Sequence, residues 1–237
     1  MNTRQVSADL TQSFMQRVFF WMGGALALSG FCAYGVATSP FLTHFFFSNA
    51  WIIIALFIAQ IGIAVVLGGW IMRLSYSTAL ALFLCYASLT GITLASIFFV
   101  YTMASIASAF CTSAALFLAM GMYGMITKRD LTSMGAIVMM VLFGVIIAMM
   151  INMFLRSSAF DYVISIVSVV IFSLLTAYDM QKLKQIGEGV AYIEEGDVVD
   201  HATITKSIAL RGAFTLFLDF VNLFLALLHL LGNRRDK

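Results

Sequence analysis

Seven stretches of this chain are each as long and as apolar as a helix crossing a bilayer: Val18–Ser39, Trp51–Met72, Thr78–Val100, Ala104–Ile126, Met134–Leu155, Tyr162–Gln181 and Ser207–Leu231. A hydrocarbon core of ~30 Å takes about 20 apolar residues per helix. The spacing therefore predicts an all-α membrane protein, a seven-transmembrane-helix bundle. Composition agrees, with 62% hydrophobic and 10% charged residues, against about 45–50% and about 25% in soluble domains. Between the spans no segment is long enough to fold alone, so the 237 residues divide into an N-terminal arm (1–17), one transmembrane domain (18–231) and a short tail (232–237). The single proline, Pro40, fits the termination of the first span. The first apolar run is too long for a cleavable signal peptide and follows a polar arm.

The distribution of Lys and Arg sets the expected orientation. With the N-terminus inside, Arg4, Arg17, Arg73, Lys128, Arg129, Lys182, Lys184, Lys206 and Arg211 lie inside, and only Arg156, Arg234, Arg235 and Lys237 lie outside. The N-terminus is thus expected in the cytoplasm. The basic tail "GNRRDK" then falls outside, against the rule, unless the last segment re-enters without crossing; seven crossings is the preferred reading. Gly23, Gly24, Gly30, Gly121 and Gly124 are expected where helices approach closely. Cys32, Cys85 and Cys111 are odd in number and far apart, which supports no disulfide or metal site and makes them small packing residues. A net charge of +2 points to no partner, and nothing resembles a nucleic-acid surface. The segment from Lys182 to Lys206 carries Glu188, Glu194, Glu195, Asp197 and Asp200 without EF-hand spacing. It reads as a solvated acidic loop, or more sharply as a weak cation-attracting vestibule.

Two carboxylates carry the chemistry. Asp219 stands in "LFLDFVNLF" and Asp179 in "SLLTAYDMQKLK". An Asp at the centre of a membrane helix costs about 2.5–3.5 kcal/mol on insertion scales, so it is seldom idle. At about 1.5 Å per residue, Asp179 lies roughly 24 Å from Val163 and Asp219 roughly 20 Å from Gly232, levels that let the two side chains meet. Arg73, ending the second span, is expected near the inner boundary, with a side chain able to reach back toward that level. Two carboxyl groups meeting where water is scarce cannot both ionise cheaply, so the pair would hold one proton between them. Such a pair also offers hard oxygens to calcium, but falls short of the usual six to eight ligands, which suits transient transit better than storage. Asn222, one turn beyond Asp219, could supply an amide oxygen or steady the carboxylate. The plainer readings are a helix-end residue for Asp179, an internal hydrogen-bond anchor for Asp219 and a topogenic interfacial charge for Arg73. Gln60 and His229 read as bundle or interface polar contacts, and Arg211 as a snorkelling residue.

At these residues the chain resembles the bacterial branch of the Bax-inhibitor (transmembrane Bax-inhibitor-motif) family. The likeness runs through "WIMRLSYSTALALFLCYASLTGITLASIF", "YGMITKRDLTSMG", "LLTAYDMQKLKQIGE" and "FTLFLDFVNLFLALLHLLGNRR". Its most specific parts are the Tyr178-Asp179 pair and the Leu-Asp-Phe-x-Asn that holds Asp219 and Asn222. The resemblance implies a seven-helix fold whose C-terminal helix is central, and a pH-sensitive calcium leak across a bacterial inner membrane. It further implies a proton sensor at Asp179 and Asp219, interaction of Arg73 with the pore region, and links of bacterial members to membrane-protein quality control through a membrane protease.

The expected function is therefore a calcium-permeable leak gated by protons, with calcium as transported ion and no cofactor. Channel and slow exchanger both fit, and the residues set neither gating direction nor oligomeric state. A different class, an interaction protein regulating a membrane protease, would use the carboxylates only to fix helix packing. A retinal pigment is excluded, because Lys128, Lys182, Lys184, Lys206 and Lys237 all lie in loops, span edges or the tail. An intramembrane aspartyl protease lacks its glycine-containing half-motif, and no HExxH, serine-lysine or phosphate-loop pattern occurs, so no enzyme is expected.

Overall fold

The structure, a computed structural model, describes residues 3–193 and 201–233. Among them the chain forms helices and no strand: α1 (Thr3–Thr38), α2 (Pro40–Phe47), α3 (Ala50–Gly69), a 3-10 turn (Ile71–Arg73), α4 (Tyr76–Leu94), α5 (Ile97–Val100), α6 (Met103–Ile126), α7 (Thr132–Leu155), α8 (Ser158–Ile193) and α9 (His201–Leu231). Seven segments are long and apolar enough to cross a membrane: Leu10–Thr38, Ala50–Gly69, Tyr76–Val100, Met103–Ile126, Thr132–Leu155, Ser158–Gly189 and Thr205–Leu231. All seven overlap the expected spans. The protein is an integral membrane protein built as an all-α bundle.

Local chemistry sets the boundaries. Pro40 ends α1 and opens α2, where Ser39 Oγ accepts from the Leu42 N–H; proline suits a helix's first turn, where its missing N–H would be unpaired anyway. Ser75 caps α4 and Thr102 caps α6 in the same way. Arg156 ends α7 in the left-handed conformation, φ 51°. The last span is one uninterrupted helix, long enough to cross rather than re-enter.

The arm before Val18 continues α1, with Phe14 and Met15 already buried. Three expectations are corrected. Lys182–Ile193 belongs to α8 and is no loop; Glu194, Glu195, Asp197 and Asp200 lie outside the described residues. Gly23, Gly24 and Gly30 meet nothing within 4 Å of a built Cβ, so they make no close helix approach. Cys85 and Cys111 are exposed on the bundle surface rather than packed inside, and Cys32 is half-buried.

The chain falls into two compact units, 1–100 with 185–217 and 101–184 with 218–237. In the first, α1 lies against α4. Gly91 places the α4 backbone on the Ser29 carbonyl and Cys32, and Ser29 Oγ donates to the Ala87 carbonyl at 2.6 Å. Gln60 Nε2 donates to Thr93 Oγ1 at 3.0 Å between α3 and α4. Phe214 and Phe217 of α9 pack edge-on against Phe83 and Tyr86. In the second unit, α6 lies against α8 where Gly124 meets the Ala177 carbonyl and Gly121 meets Met180. The start of α6 is tied to the residue after α9: the Thr102 N–H donates to the Asn233 carbonyl at 3.2 Å and the Asn233 N–H to Ser105 Oγ at 3.0 Å. α9 is the most buried span, with 61% of its apolar window buried against 6% for α3.

Candidate functional site

Asp179 on α8 and Asp219 on α9 both belong to the second unit, each within electrostatic reach of the other. Asp219 is 6% exposed and its Oδ2 has no hydrogen-bond partner. Asp179 is half-buried.

The position of each carboxylate follows from its neighbours. Just beyond Asp179, Gln181 is clamped by two hydrogen bonds to the α6–α7 connection: its Oε1 accepts from the Leu131 N–H and its Nε2 donates to the Arg129 carbonyl, both at 2.8 Å. Lys184 Nζ donates to the Met125 carbonyl at 3.0 Å, one turn on. Tyr178 lies against Gly135 of α7, where a Cβ would come within 2.6 Å of the ring. Lys182 Nζ sits 5.7 Å over the same ring, a cation–π distance, and its charge also acts on Asp179. On α9, Phe220 next to Asp219 stacks edge-on with Phe110 and Phe117 of α6, at 5.4 and 5.6 Å between centroids. Both acids are thus held by bulky or doubly bonded neighbours one or two residues away.

The other sequence candidates fall elsewhere. Arg73 belongs to the first unit, exposed at the 3-10 turn between α3 and α4. The Asn222 amide makes no hydrogen bond to Asp219; it lines a cavity of about 440 Å³ with α7, α8 and His229. Gln60 is the interhelical contact expected of it, whereas His229 is exposed with its ring 6.2 Å from that of Tyr101. Sequence reasoning missed the Gln181 clamp and the serines of α8 that face the cavity, Ser165 and Ser168. The available signal was polar spacing of three and four residues along an otherwise apolar helix. Among the described residues no group of three or more His, Cys, Asp or Glu side chains gathers in metal-binding range.

The arrangement can do one thing that a purely apolar bundle cannot. It offers carboxyl oxygens, groups able to bind a proton or a cation, inside a membrane span.

Comparison with known proteins agrees with the membrane architecture. Residues 11–236 match the family described as "Inhibitor of apoptosis-promoting Bax1". An Escherichia coli K12 protein named "Inner membrane protein YbhL" is 43% identical over 224 residues, covering 94% of this chain and 93% of the relative. An uncharacterized protein of Borreliella burgdorferi is 40% identical across 96% of this chain and 99% of its own length. An uncharacterized membrane protein of Streptococcus pyogenes is 34% identical, with 92% of each chain covered. With a family match over nearly its whole length and full-length relatives at this identity, the chain belongs to the Bax-inhibitor family of integral membrane proteins.

Proposed function

We propose that this protein is a pH-sensitive, calcium-permeable leak pathway of a bacterial inner membrane, gated by Asp179 and Asp219 with α9 as the central obstruction. What supports the reading is that the two acids stand in one unit within electrostatic reach of each other, with the Asp219 carboxyl buried and one of its oxygens unpartnered. While the pair holds a proton, one carboxyl donates to the other and α8 and α9 stay joined there. Without it, two like charges a hydrogen bond apart repel, so the helices separate or a cation takes the proton's place. Calcium then binds only in passing, because two carboxylates supply too few oxygens for a stable site. Arg73 acts at the inner boundary, Tyr178 and Asn222 support the two acids, and the N-terminus is cytoplasmic by the Lys and Arg distribution. The inner membrane is proposed from the name of the Escherichia coli relative.

The test is calcium flux into dye-loaded liposomes holding the full chain, measured across pH. A single proton-linked step changes occupancy by up to about ten-fold per pH unit. Asp219→Asn and Asp179→Asn are each expected to flatten that profile. A profile unchanged in both variants removes the pair from the mechanism. Absence of flux at every pH leaves an interaction protein, such as a regulator of a membrane protease, as the reading to pursue.

A further inference from the structure

Asp161, Ser165, Ser168 and Phe172 follow one another at steps of four, three and four residues, which puts them on one face of α8. Asn222, Ala226 and His229 share a face of α9 in the same way. Between these faces and the α7 residues Val145, Ile146 and Met149 lies the cavity of about 440 Å³.

Two observations separate it from a gap in apolar packing. The first is Ser168, 1% exposed, whose Oγ has no hydrogen-bond partner. The other buried hydroxyls of α8 all bond back to the carbonyl four residues earlier: Ser165 to Asp161 at 2.9 Å, Ser173 to Val169 at 2.7 Å and Thr176 to Phe172 at 2.8 Å. Ser168 forgoes that bond and lines the cavity, where a buried hydroxyl needs a partner. The second is the route outward. A further recess of about 340 Å³ shares Met149 and Asp161 with the cavity and is lined by Asn152, Arg156, Ser157 and Ser158 at the α7–α8 turn. Polar groups therefore run from the turn to Ser168, about 10 Å along α8, and to Asn222, one turn from Asp219.

We propose that this cavity is an aqueous vestibule, entered from the α7–α8 turn, whose water hydrogen-bonds the Ser168 hydroxyl and the Asn222 amide and brings solvent to within one helical turn of Asp219. The space holds on the order of ten waters; its wall is mostly apolar, and Asp161, Ser165, Ser168, Asn222 and His229 supply the polar partners that buried water requires. Taken with the gating role proposed above, on which this consequence rests, the carboxyl pair exchanges protons with the compartment at the α7–α8 turn. In the second unit the charged or titratable groups along this line are Arg156, Asp161 and His229 at the mouth, and Asp179, Lys182 and Tyr178 around the pair. The helices α6 and α7 contain no Asp, Glu, Lys, Arg or His.

The test uses the full chain in proteoliposomes, with Cys32, Cys85 and Cys111 replaced by Ala and single cysteines introduced as Ser165→Cys, Ser168→Cys or Asn222→Cys. The probe is a membrane-impermeant trimethylammonium-ethyl methanethiosulfonate. Ser158→Cys at the turn identifies the side, and Thr176→Cys, buried on the same helix, sets the background. Thiols react as thiolates and only where water reaches them, so vestibule positions are expected to react at least about ten-fold faster than Thr176→Cys, and only from the side that labels Ser158→Cys. Rates at all three positions no faster than background mean that an acyl chain or packed protein fills the space, and overturn the proposal. Labelling from the opposite side overturns it as well. Should one variant misfold, the remaining two carry the result. Because labelling reads solvent access and the flux assay reads the aspartates, rapid labelling with an unchanged flux profile keeps the vestibule and removes the gate, and the converse result does the reverse.

Discussion

Gly124 and Gln181 show how much of the site rests on residues that carry no charge. A Cβ on Gly124 would run into the Ala177 carbonyl, and backbone cannot yield as a side chain can. Gly124→Ala is expected to cost about 1–3 kcal/mol as an overpacked contact, read as a lower thermal midpoint in detergent, whereas Gly23→Ala, with open space around it, leaves the midpoint unchanged. Gln181→Leu strands the Leu131 N–H and the Arg129 carbonyl; losing these partners is expected to cost about 1–3 kcal/mol by the same measurement. The sequence made the aspartates legible because a carboxylate inside an apolar run is expensive and so conspicuous. Gln181 was not legible, since a glutamine at a span edge looks like any interfacial residue until the turn it holds is known. Ser168 was hidden for a related reason: a serine in a membrane helix ordinarily satisfies itself on its own backbone, and only its geometry reveals that this one does not. Among glycines, spacing alone could not separate Gly124, which is pressed on a neighbour, from Gly23, which is not.

At the level of elements, the cores of the spans were readable and their ends less so. The sixth span was expected to stop at Gln181, because Lys182 and Lys184 resemble an interface. The helix runs on to Ile193, since a lysine stem is long enough to carry its charge to a polar partner, as Lys184 does at the Met125 carbonyl. The α7 start has its own charge logic. Asp130 Oδ1 accepts from the Thr132 N–H at 2.9 Å. The Thr132 hydroxyl and this backbone N–H hold the Asp130 carboxyl below its ordinary range. A lowered value in the fold means that the ionised acid favours the native α7 start above the ordinary carboxylate range, an effect lost as the pH falls through the lowered value. The protection of the Thr132 N–H, relative to its intrinsic exchange rate at each pH, is therefore expected to fall in strong acid, and Asp130→Ala is expected to produce the same loss of protection at neutral pH.

For the whole molecule, the outer surface is what the apolar composition foretold. Ile147, 57% exposed on α7, is one of many large apolar side chains turned outward, as a lipid-facing wall requires. Ile147→Lys is expected to lower the membrane-inserted fraction through a cost of about 2.5–3.5 kcal/mol, whereas Ile147→Leu leaves it unchanged in a membrane-fractionation assay. Bundle class and helix number were legible because hydrocarbon thickness is a fixed ruler. The division of α8 and α9 between two compact units was not, since hydropathy measures each helix by itself and says nothing about its neighbours. Pro40 is the only residue of the chain without a backbone N–H, and α8 and α9 run unbroken for 36 and 31 residues. Lacking the proline at which long helices most often bend, each behaves as a torsion bar. A roll of α9 that turned Asp219 would swing Phe220, the next residue, through the same angle, so the acid and the aromatic seat between Phe110 and Phe117 would shift as a single mechanical event.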